Sequence, residues 1–389
     1  MKLKDVGDYF IGLTYKPDDV SDSGIIVLRS GNIQNKKICM DDIVRVNKKI
    51  PQKLFVQPGD ILMCSRNGSA HLVGKSAVIP HLTEDMTFGA FMTIFRTPIN
   101  DYLQHFFSAH AFRRQLAAGK TTTINQITIS MLDNIEIDIP ASVIMYDRCK
   151  KLNAITSIID QRKKQLTALD TLIKARFVEM FGNPVTNPHG YLVQTLQQLI
   201  DSGFITYHLD GNHGGDYPRS EEFVESGVPY IGANCIVNGE INFSMAKYLT
   251  EEKAGKLRKG IARDGDVLFA HNATVGPTVV LHTNMPKVIL STSLTAYRCN
   301  QNRIKPNYLK AYMQSDGFIR QYSEEMKQTT RNQVPITAQK KYLFLVPPLE
   351  DQEKFAIFVD RIDKSKAVVQ RTLVQNQLLF DSLMQKYFG

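Results

Sequence analysis

Two patterns of apolar and polar residues alternate along the chain, and the change from one to the other occurs twice. Up to about residue 140, short apolar runs at residues 24–28, 60–63 and 135–139 are separated by turn residues, which predicts β-strands. Residues 103–116 instead predict a helix. After Pro140 the apolar residues recur at spacings of three, four and seven, the heptad pattern of a long amphipathic helix. The same change recurs after Pro348, so the pattern predicts a domain and a helix, then a second domain and a second helix.

Each predicted helix carries one apolar stripe along its length. Exposing an apolar stripe to water is unfavourable for a helix. We therefore expect the two stripes to bury each other as an antiparallel coiled coil. The alternative is that each helix packs on its own domain. Ser142 is the predicted N-cap of the first helix, and polar residues that can fix the register interrupt the stripes at Arg162, Arg176, Lys366 and Asn376. The predicted helix–helix packing residues are Leu152, Ile155, Ile159, Leu166, Leu169, Ile173, Met180, Phe355, Val359, Ile362, Val369, Leu373, Phe380, Leu383 and Tyr387.

The two halves also share short sequence matches that keep the same order. A Gly-Asp-(Ile/Val)-Leu element lies in both halves, and we interpret its aspartate, Asp60 or Asp266, as a cap of the turn into a strand. The matched segments are 55–62 with 261–268, 93–96 with 295–298, 102–112 with 308–318, 120–127 with 327–334, 139–140 with 346–347 and 181–182 with 388–389. An offset of roughly 205 residues therefore holds through domains and helices. We predict a pseudo-two-fold internal repeat of α/β (α+β) class, with two globular domains separated by two long helices. The predicted bounds are 1–140 for domain 1, 141–183 for helix 1, 184–348 for domain 2 and 349–389 for helix 2.

Composition and charge narrow the classes of function. A net charge of +9 favours a polyanionic partner. No apolar run is long enough to predict a membrane-spanning helix, so we expect no membrane partner. The five cysteines are scattered without a C-x-x-C pair, which predicts reduced thiols and a cytoplasmic location rather than a zinc site or a disulfide framework.

The sequence segments that resemble motifs of reactive sites are incomplete or unsuitably spaced. Residues 119–121 imitate the end of a P-loop, but Arg114 stands where that loop needs a glycine. The pairs His105/His110 and His208/His213 lack zinc-site spacing, and residues 251–253 imitate a nuclease element but are interpreted as a solvated face. We therefore expect no catalytic residue, no metal and no cofactor in this chain.

Polar loops at equivalent places in the two halves carry side chains that suit nucleic-acid binding. One loop follows the Gly-Asp-(Ile/Val)-Leu strand at residues 65–71 and 270–274, and the other spans 120–126 and 327–333. Cationic side chains bind phosphates, while arginine, amide and hydroxyl side chains also bond base edges. Merely exposed polar loops are the alternative, but the repeat and the net charge favour DNA. The candidate DNA-binding residues are Arg29, Arg66, Asn67, Ser69, His71, Lys75, Lys120, Thr121, Thr122, Asn125, Gln126, Asn234, His271, Asn272, Thr274, Lys327, Thr329, Thr330, Arg331, Asn332 and Gln333.

Four stretches give the chain a family resemblance. Residues 227–231 (Gly-Val-Pro-Tyr-Ile) followed by Asn234, the paired Gly-Asp-(Ile/Val)-Leu elements, residues 347–353 and residues 172–182 resemble the specificity subunits of type I restriction–modification systems. The first half departs from the pattern, because residues 24–28 lack the Pro-Tyr pair and residues 62–74 hold more positions than residues 268–276. The family implies that such differences change which bases are read.

The resemblance implies a non-catalytic subunit whose two target-recognition domains each read one half of a bipartite, asymmetric site in double-stranded DNA. The helices would set the gap between the half-sites and dock two methyltransferase (modification) subunits, which bring S-adenosylmethionine and methylate adenine. Restriction subunits using ATP and Mg would join for cleavage. On the residues alone, two other classes stay open. They are a DNA-modifying or DNA-cleaving enzyme with an unrecognised site, and a coiled-coil adaptor that binds only proteins.

Overall fold

The chain folds into two compact units, each built from a globular domain and parts of two long helices. A computed structural model describes residues 1–118, 125–326 and 332–389. Unit 1 comprises residues Met1–Lys163 and Arg371–Gly389, and unit 2 comprises residues Lys164–Gln370. The α-helices are α1 (Asn100–Ser108), α2 (His110–Ala118), α3 (Ile129–Asp133), α4 (Ser142–Phe181), α5 (Leu196–Asp201), α6 (Glu251–Lys256), α7 (Pro306–Met313), α8 (Asp316–Met326), α9 (Ile336–Gln339) and α10 (Leu349–Phe388).

The strands of both units are short. Unit 1 contains β1 (Asp8–Ile11), β2 (Val20–Ser21), β3 (Ile25–Leu28), β4 (Ile33–Gln34), β5 (Lys37–Ile38), β6 (Val44–Val46), β7 (Ile61–Cys64), β8 (Ser76–Val78), β9 (Met86–Phe88) and β10 (Met92–Arg96). Unit 2 contains β11 (Leu192–Thr195), β12 (Ile205–Asp210), β13 (Phe223–Val224), β14 (Val228–Ile231), β15 (Ile236–Val237), β16 (Glu240–Ile241), β17 (Lys247–Leu249), β18 (Ile261–Ala262), β19 (Val267–Asn272), β20 (Thr274–Val280), β21 (Val288–Leu290), β22 (Leu294–Cys299) and β23 (Leu343–Val346).

The sheets of the two units have matching strand orders, which confirms the repeat. An antiparallel sheet has the order β1-β10-β7-β8 in unit 1 and β12-β22-β19-β20 in unit 2. A second sheet has the order β2-β6-β3-β9 or β13-β17-β14-β21-β18, with one parallel pair in each, β3–β9 or β14–β21. Small hairpins, β4–β5 and β15–β16, complete the match. Mostly antiparallel sheets with helices at their faces make each unit α+β.

Strand β7 shows why these apolar runs fold as they do. All four of its residues are buried, because Ile61 and Met63 face one core cluster while Leu62 and Cys64 face another. Alternate residues of a strand point to opposite faces of the sheet, so a continuous apolar run suits a strand that is covered on both sides. Strand β19 repeats this arrangement between the two cores of unit 2.

The aspartate of each Gly-Asp-(Ile/Val)-Leu element caps the turn before its strand, as the sequence suggested. Asp60 Oδ2 accepts a hydrogen bond of 2.8 Å from the backbone N–H of Gln57, and the carboxylate also accepts two bonds of 2.7 Å from Arg96. Asp266 makes the same turn bond, 2.8 Å long, and two bonds to Arg298 of 2.9 and 2.7 Å. The two matched arginines therefore hold the two matched aspartates in both units.

Both long helices have 40 residues, and their bounds differ by the 207 residues that separate the two Phe-Gly pairs. Each predicted seam residue is buried or half-buried. Within unit 1, the guanidinium of Arg148 near the start of α4 lies 5.1 Å from the ring centroid of Tyr387 near the end of α10. Within unit 2, Lys366 Nζ in α10 lies 2.7 Å from Asp170 Oδ1 in α4. In each unit the two helices therefore run antiparallel.

The repeated Phe-Gly pairs have a structural reason. Phe181, at the end of the first long helix, packs in the core of unit 2 with its ring centroid 4.9 Å from that of Tyr308. Phe388, at the end of the second, packs in the core of unit 1, 5.0 Å from Tyr102. Each core thus includes the start of the helix that follows its own domain and the end of the other helix. The proposed packing of helix on helix and its alternative, helix on domain, both occur within each unit.

Two expectations about secondary structure were wrong. Residues 103–116 form two helices rather than one, because Ala109 between α1 and α2 has an extended backbone. The break directs Phe112 back against Phe106 and Phe107, at ring-centroid distances of 5.6 and 4.9 Å. Residues 135–139 form no regular strand, and only Glu136 makes a bridge, to Lys2. The observed helix bounds lie within two residues of the predicted domain limits at 141–183 and 349–389.

Candidate nucleic-acid interface

In unit 1 the two polar loops singled out from the sequence meet at the end of β7. An isolated antiparallel bridge joins Arg66 to Gln126. The backbone N–H of Ile127 donates to the carbonyl of Ser65 at 2.7 Å, and the side-chain amide of Asn125 donates to the carbonyl of Gly68 at 3.2 Å. These bonds hold the first part of loop 65–71 beside the end of loop 120–126.

Unit 2 brings its loops together at the same positions. An isolated bridge joins Asn272 to Gln333, which follow Arg66 and Gln126 by 206 and 207 residues. The backbone N–H of Ala273 donates to the backbone carbonyl of Asn332 at 2.9 Å. The backbone N–H of Val334 donates to the backbone carbonyl of His271 at 2.8 Å. The structure therefore places Arg66 and Asn272 at equivalent sites.

A third segment joins the loop pair in each unit. In unit 1 the side-chain amide of Asn67 donates to Ser30 Oγ at 3.2 Å. The neighbouring Arg29 forms an ion pair of 2.9 Å with Asp42. In unit 2 the corresponding turn, Ala233–Cys235, is held by a 2.9 Å bond from the backbone N–H of Ala233 to Ser293 Oγ, and Asn234 is exposed. Each unit thus presents an edge formed by three polar segments.

The loop after the first strand differs between the units as the sequence predicted. In unit 1, Asn67 Oδ1 accepts a bond of 2.9 Å from the backbone N–H of Ser69. The chain then makes a short helical turn that contains the exposed His71, before the half-buried Lys75. In unit 2 the strands β19 and β20 continue into a tight hairpin instead. Ala273 has a φ of 64° at its tip, and the adjacent Thr274 is exposed.

His271 lies behind the edge rather than on it. Its side chain is 1% exposed, and Nδ1 lies 3.0 Å from the carbonyl of Val334, so the ring supports the loop pair. A buried network continues beneath it, where Gln339 Oε1 lies 3.1 Å from His208 Nε2 and accepts a bond of 2.6 Å from Tyr297. Burial lowers the pKa of His208 to about 4 and also lowers the pKa of His271, so both rings are neutral near pH 7.

An exposed aromatic residue that the sequence reasoning missed lies on the edge of unit 1. The side chain of Phe91 is 59% exposed, and the guanidinium of Arg66 stacks over its ring at 5.3 Å from the centroid. The corresponding position in unit 2 is Ser293, since Phe91 accepts the backbone bond of Ser65 just as Ser293 accepts that of His271, both at 3.0 Å. The signal in the sequence was a large apolar residue two positions before the matched Thr93.

Seven of the candidate DNA-binding residues lie outside the described residues. They are Lys120, Thr121, Thr122, Lys327, Thr329, Thr330 and Arg331. The described candidates in the loops 120–126 and 327–333 lie at the edges described above. They are Asn125 and Gln126 in unit 1 and Asn332 and Gln333 in unit 2.

The charged side chains of residues 251–253, the segment that resembles a nuclease element, form ion pairs. Glu252 lies 2.6 Å from Lys256, Glu251 lies 3.2 Å from Lys287, and Lys253 lies 2.6 Å from Glu222. Over residues 1–118, 125–326 and 332–389, no group of three or more His, Cys, Asp or Glu side chains is arranged to hold a metal ion. In the same ranges, no helix combines the length and the apolar character needed to cross a membrane.

Comparison with known proteins points to one family. Residues 205–375 match the family described as type I restriction modification DNA specificity domain. The type I restriction enzyme EcoKI specificity subunit of Escherichia coli (strain K12) is 24% identical over 408 residues, which cover 97% of this chain and 85% of that protein. Nearly the whole chain is therefore similar to type I restriction–modification specificity subunits, and its residues 205–375 match their DNA specificity domain. The StySPI specificity subunit of Salmonella potsdam is also 24% identical, over 412 residues and the same shares of both chains.

Solved structures of type I restriction–modification systems share the fold of this chain. The S subunit of a type I restriction–modification system from M. genitalium matches with a TM-score of 0.59 and 15% identity, over 100% of this chain and 95% of that one. A chain from a study of assembly and conformational transition in a type I system matches with a TM-score of 0.52 and 17% identity, over 100% and 99%. The relatives are named as specificity subunits of restriction enzymes.

Proposed function

We propose that each unit of this specificity subunit reads one half of a bipartite, asymmetric target in double-stranded DNA. The observation that carries the proposal is the repeated edge. Two polar loops meet in each unit through one isolated bridge, Arg66 with Gln126 and Asn272 with Gln333. The same frame thus presents different side chains in its two copies, which is what reading two different half-sites requires.

The chemistry of the two equivalent positions differs in a specific way. Arginine bonds guanine through two acceptors in the major groove, whereas asparagine bonds adenine through one acceptor and one donor. Arg66 is exposed and Asn272 is half-buried at the tip of its hairpin. We therefore assign a guanine contact to Arg66 and an adenine contact to Asn272.

The two long helices are proposed to act as the spacer between half-sites and as the docking surface for partner subunits. A helix of 40 residues is about 60 Å long at 1.5 Å per residue. Two turns of DNA span roughly 70 Å at 3.4 Å per base pair, so the helix length is of the right order. The proposed partners are two modification subunits, which bring S-adenosylmethionine and methylate adenine, and ATP-dependent restriction subunits. A cytoplasmic location stays a prediction of the same proposal.

The base contacts can be tested with the complex of this chain and its modification subunits. Arg66→Ala should reduce the preference for the correct base at one base pair of one half-site by about 5- to 150-fold, since a bidentate contact contributes about 1–3 kcal/mol of discrimination. Asn272→Ala should do the same in the other half-site only. Arg258→Ala, which removes an exposed arginine between α6 and β18, is the matched control and should change neither. Loss of specificity in the same half-site from both variants would contradict the proposal.

The phosphate contacts can be tested separately. We expect Lys120→Ala or Lys327→Ala to weaken binding to all sequences about equally and to reduce the salt dependence of affinity by about one phosphate contact. An unchanged salt dependence would exclude these lysines as phosphate contacts. Incubating the chain alone with DNA, metal ion and S-adenosylmethionine tests the enzyme alternative, which requires turnover without partner subunits.

A further inference from the structure

The stacked pair of Arg66 and Phe91 sets unit 1 apart from unit 2. All 20 phenylalanines lie in the described ranges, and Phe91 is the exposed one among them. A single exposed apolar side chain is common on protein surfaces, so exposure alone carries no conclusion. The position does, because this ring lies beside Arg66 at the edge where the three polar segments of unit 1 meet.

The backbone beneath the ring is held rigidly. The carbonyl of Phe91 accepts three hydrogen bonds of 3.0 Å, from the backbone N–H groups of Ser65 and Arg66 and from Ser65 Oγ. Thr93 donates a further 3.0 Å bond to Ser65 Oγ. The turn that carries Phe91 is therefore fixed to the loop that carries Arg66, and the two side chains form one surface.

Stacking also prepares Arg66 for binding. A guanidinium stacks favourably on an aromatic face while its N–H groups, which lie in its plane, stay available for hydrogen bonds. Holding the side chain in one orientation lowers the entropy lost when it binds a base. The ring itself can contact the C5 edge of a pyrimidine, which projects into the major groove beside the acceptors of a neighbouring guanine.

We propose that Phe91 is a specificity-determining residue of unit 1, whose ring contacts the C5 edge of the pyrimidine next to the guanine that Arg66 binds. The inference rests on the proposed reading of DNA by this edge. Unit 2 has Ser293 at the position that corresponds to Phe91, so we expect no such contact in the half-site that unit 2 reads. The preference is for a C5-methyl group, as in thymine or 5-methylcytosine, over the unmethylated base.

The test measures DNA affinity when only methyl groups are changed. The full chain with its modification subunits is titrated with duplexes of its mapped target, in which each thymine of the first half-site is replaced in turn by uracil and each cytosine by 5-methylcytosine. We expect one position beside the guanine bound by Arg66 to respond by about four-fold, the order expected for burying one methyl-sized group. Phe91→Ser should abolish this response and Phe91→Leu should keep most of it.

Two controls make the outcome decisive. Tyr217→Ser, which removes an aromatic side chain 46% exposed in unit 2, should leave the methyl response unchanged. Melting curves should show that Phe91→Ser is as stable as the unmodified chain, because the ring is exposed. A methyl response that is absent from the unmodified protein, or that persists in Phe91→Ser, would overturn the inference while leaving DNA reading intact. A complex without any sequence preference would instead refute the proposed function and this inference together.

Discussion

Replacing Arg298 by methionine tests how strongly the repeated aspartate–arginine pair stabilises unit 2. The guanidinium donates two hydrogen bonds to Asp266, donates a 3.1 Å bond to the carbonyl of Ile261, and lies 4.7 Å from the ring centroid of Tyr207. The Asp266 side chain is 2% exposed. After the substitution, its carboxylate keeps the 2.8 Å bond from the backbone N–H of Arg263 but loses its counter-charge. Methionine preserves much of the apolar stem, so the main change is the loss of that charge.

The expected cost follows from the burial of the carboxylate. Removing one partner of a buried ion pair leaves an uncompensated charge, which costs about 3–5 kcal/mol. For a unit of this size, 1 kcal/mol shifts the melting temperature by about 2–4 °C, so we expect a decrease of at least about 6 °C. Differential scanning calorimetry measures the shift, and denaturant titration measures the free energy of unfolding. A loss below about 1 kcal/mol would refute the argument that the pair is needed to keep Asp266 buried.

Two further variants separate charge from packing. Lys256→Met removes an ion pair with Glu252 whose side chains are 68% and 80% exposed, and no measurable shift is expected because solvent screens that pair. The double variant Arg298→Met with Asp266→Leu should recover much of the lost stability, since no charge is then left buried. Arg96→Met should destabilise unit 1 in the same way, because Asp60 is also 2% exposed.

Two other predictions concern the cores. Phe181→Ala should reduce the free energy of unfolding by about 3–5 kcal/mol, since the ring is 1% exposed between Phe177, Tyr308 and Phe355. The control is Val178→Ala, at a position 53% exposed on the same helix. An equal loss of stability in both variants would contradict the observed packing of Phe181. Burial lowers the pKa of His208 to about 4 from its ordinary value of 6.5. Between pH 6.5 and 4, the imidazole is therefore protonated in the unfolded chain but neutral in the folded chain. Stability should therefore decrease from pH 6.5 towards 4; His208→Gln should flatten that decrease in denaturant titrations, and an unchanged slope would exclude His208 as its source.

The sequence predicted the features that repeat. The offset of the heptad stripes matched the offset of the Phe-Gly pairs, and both long helices have the same 207-residue separation. The Gly-Asp-(Ile/Val)-Leu elements were interpreted as turn caps, and Asp60 and Asp266 do cap their turns. These predictions succeeded because periodicity and turn chemistry are local, so a single chain shows them directly.

Features that depend on the packing of particular side chains were not predicted. Nothing near residue 109 breaks the apolar pattern, and the bend after α1 follows from the packing of Phe112 on Phe106 and Phe107. His271 was placed among the candidate DNA-binding residues, but its ring is buried against Val334, 63 residues later. The contact of the Arg66 guanidinium with the Phe91 ring joins a residue that follows β7 to one that precedes β10. Such contacts depend on the sheet order, which the sequence pattern alone did not provide.

The central claim is that two similar units read two different half-sites, and exchanging one unit's domain tests it most directly. The chain would be co-expressed with its modification subunits, and methylated adenines would be mapped across a genome for the unmodified protein and for a variant whose residues 1–140 come from another specificity subunit. We predict a split motif in which the exchange changes one half and leaves the other half and the gap intact. A continuous motif, or a change in both halves, would contradict the account.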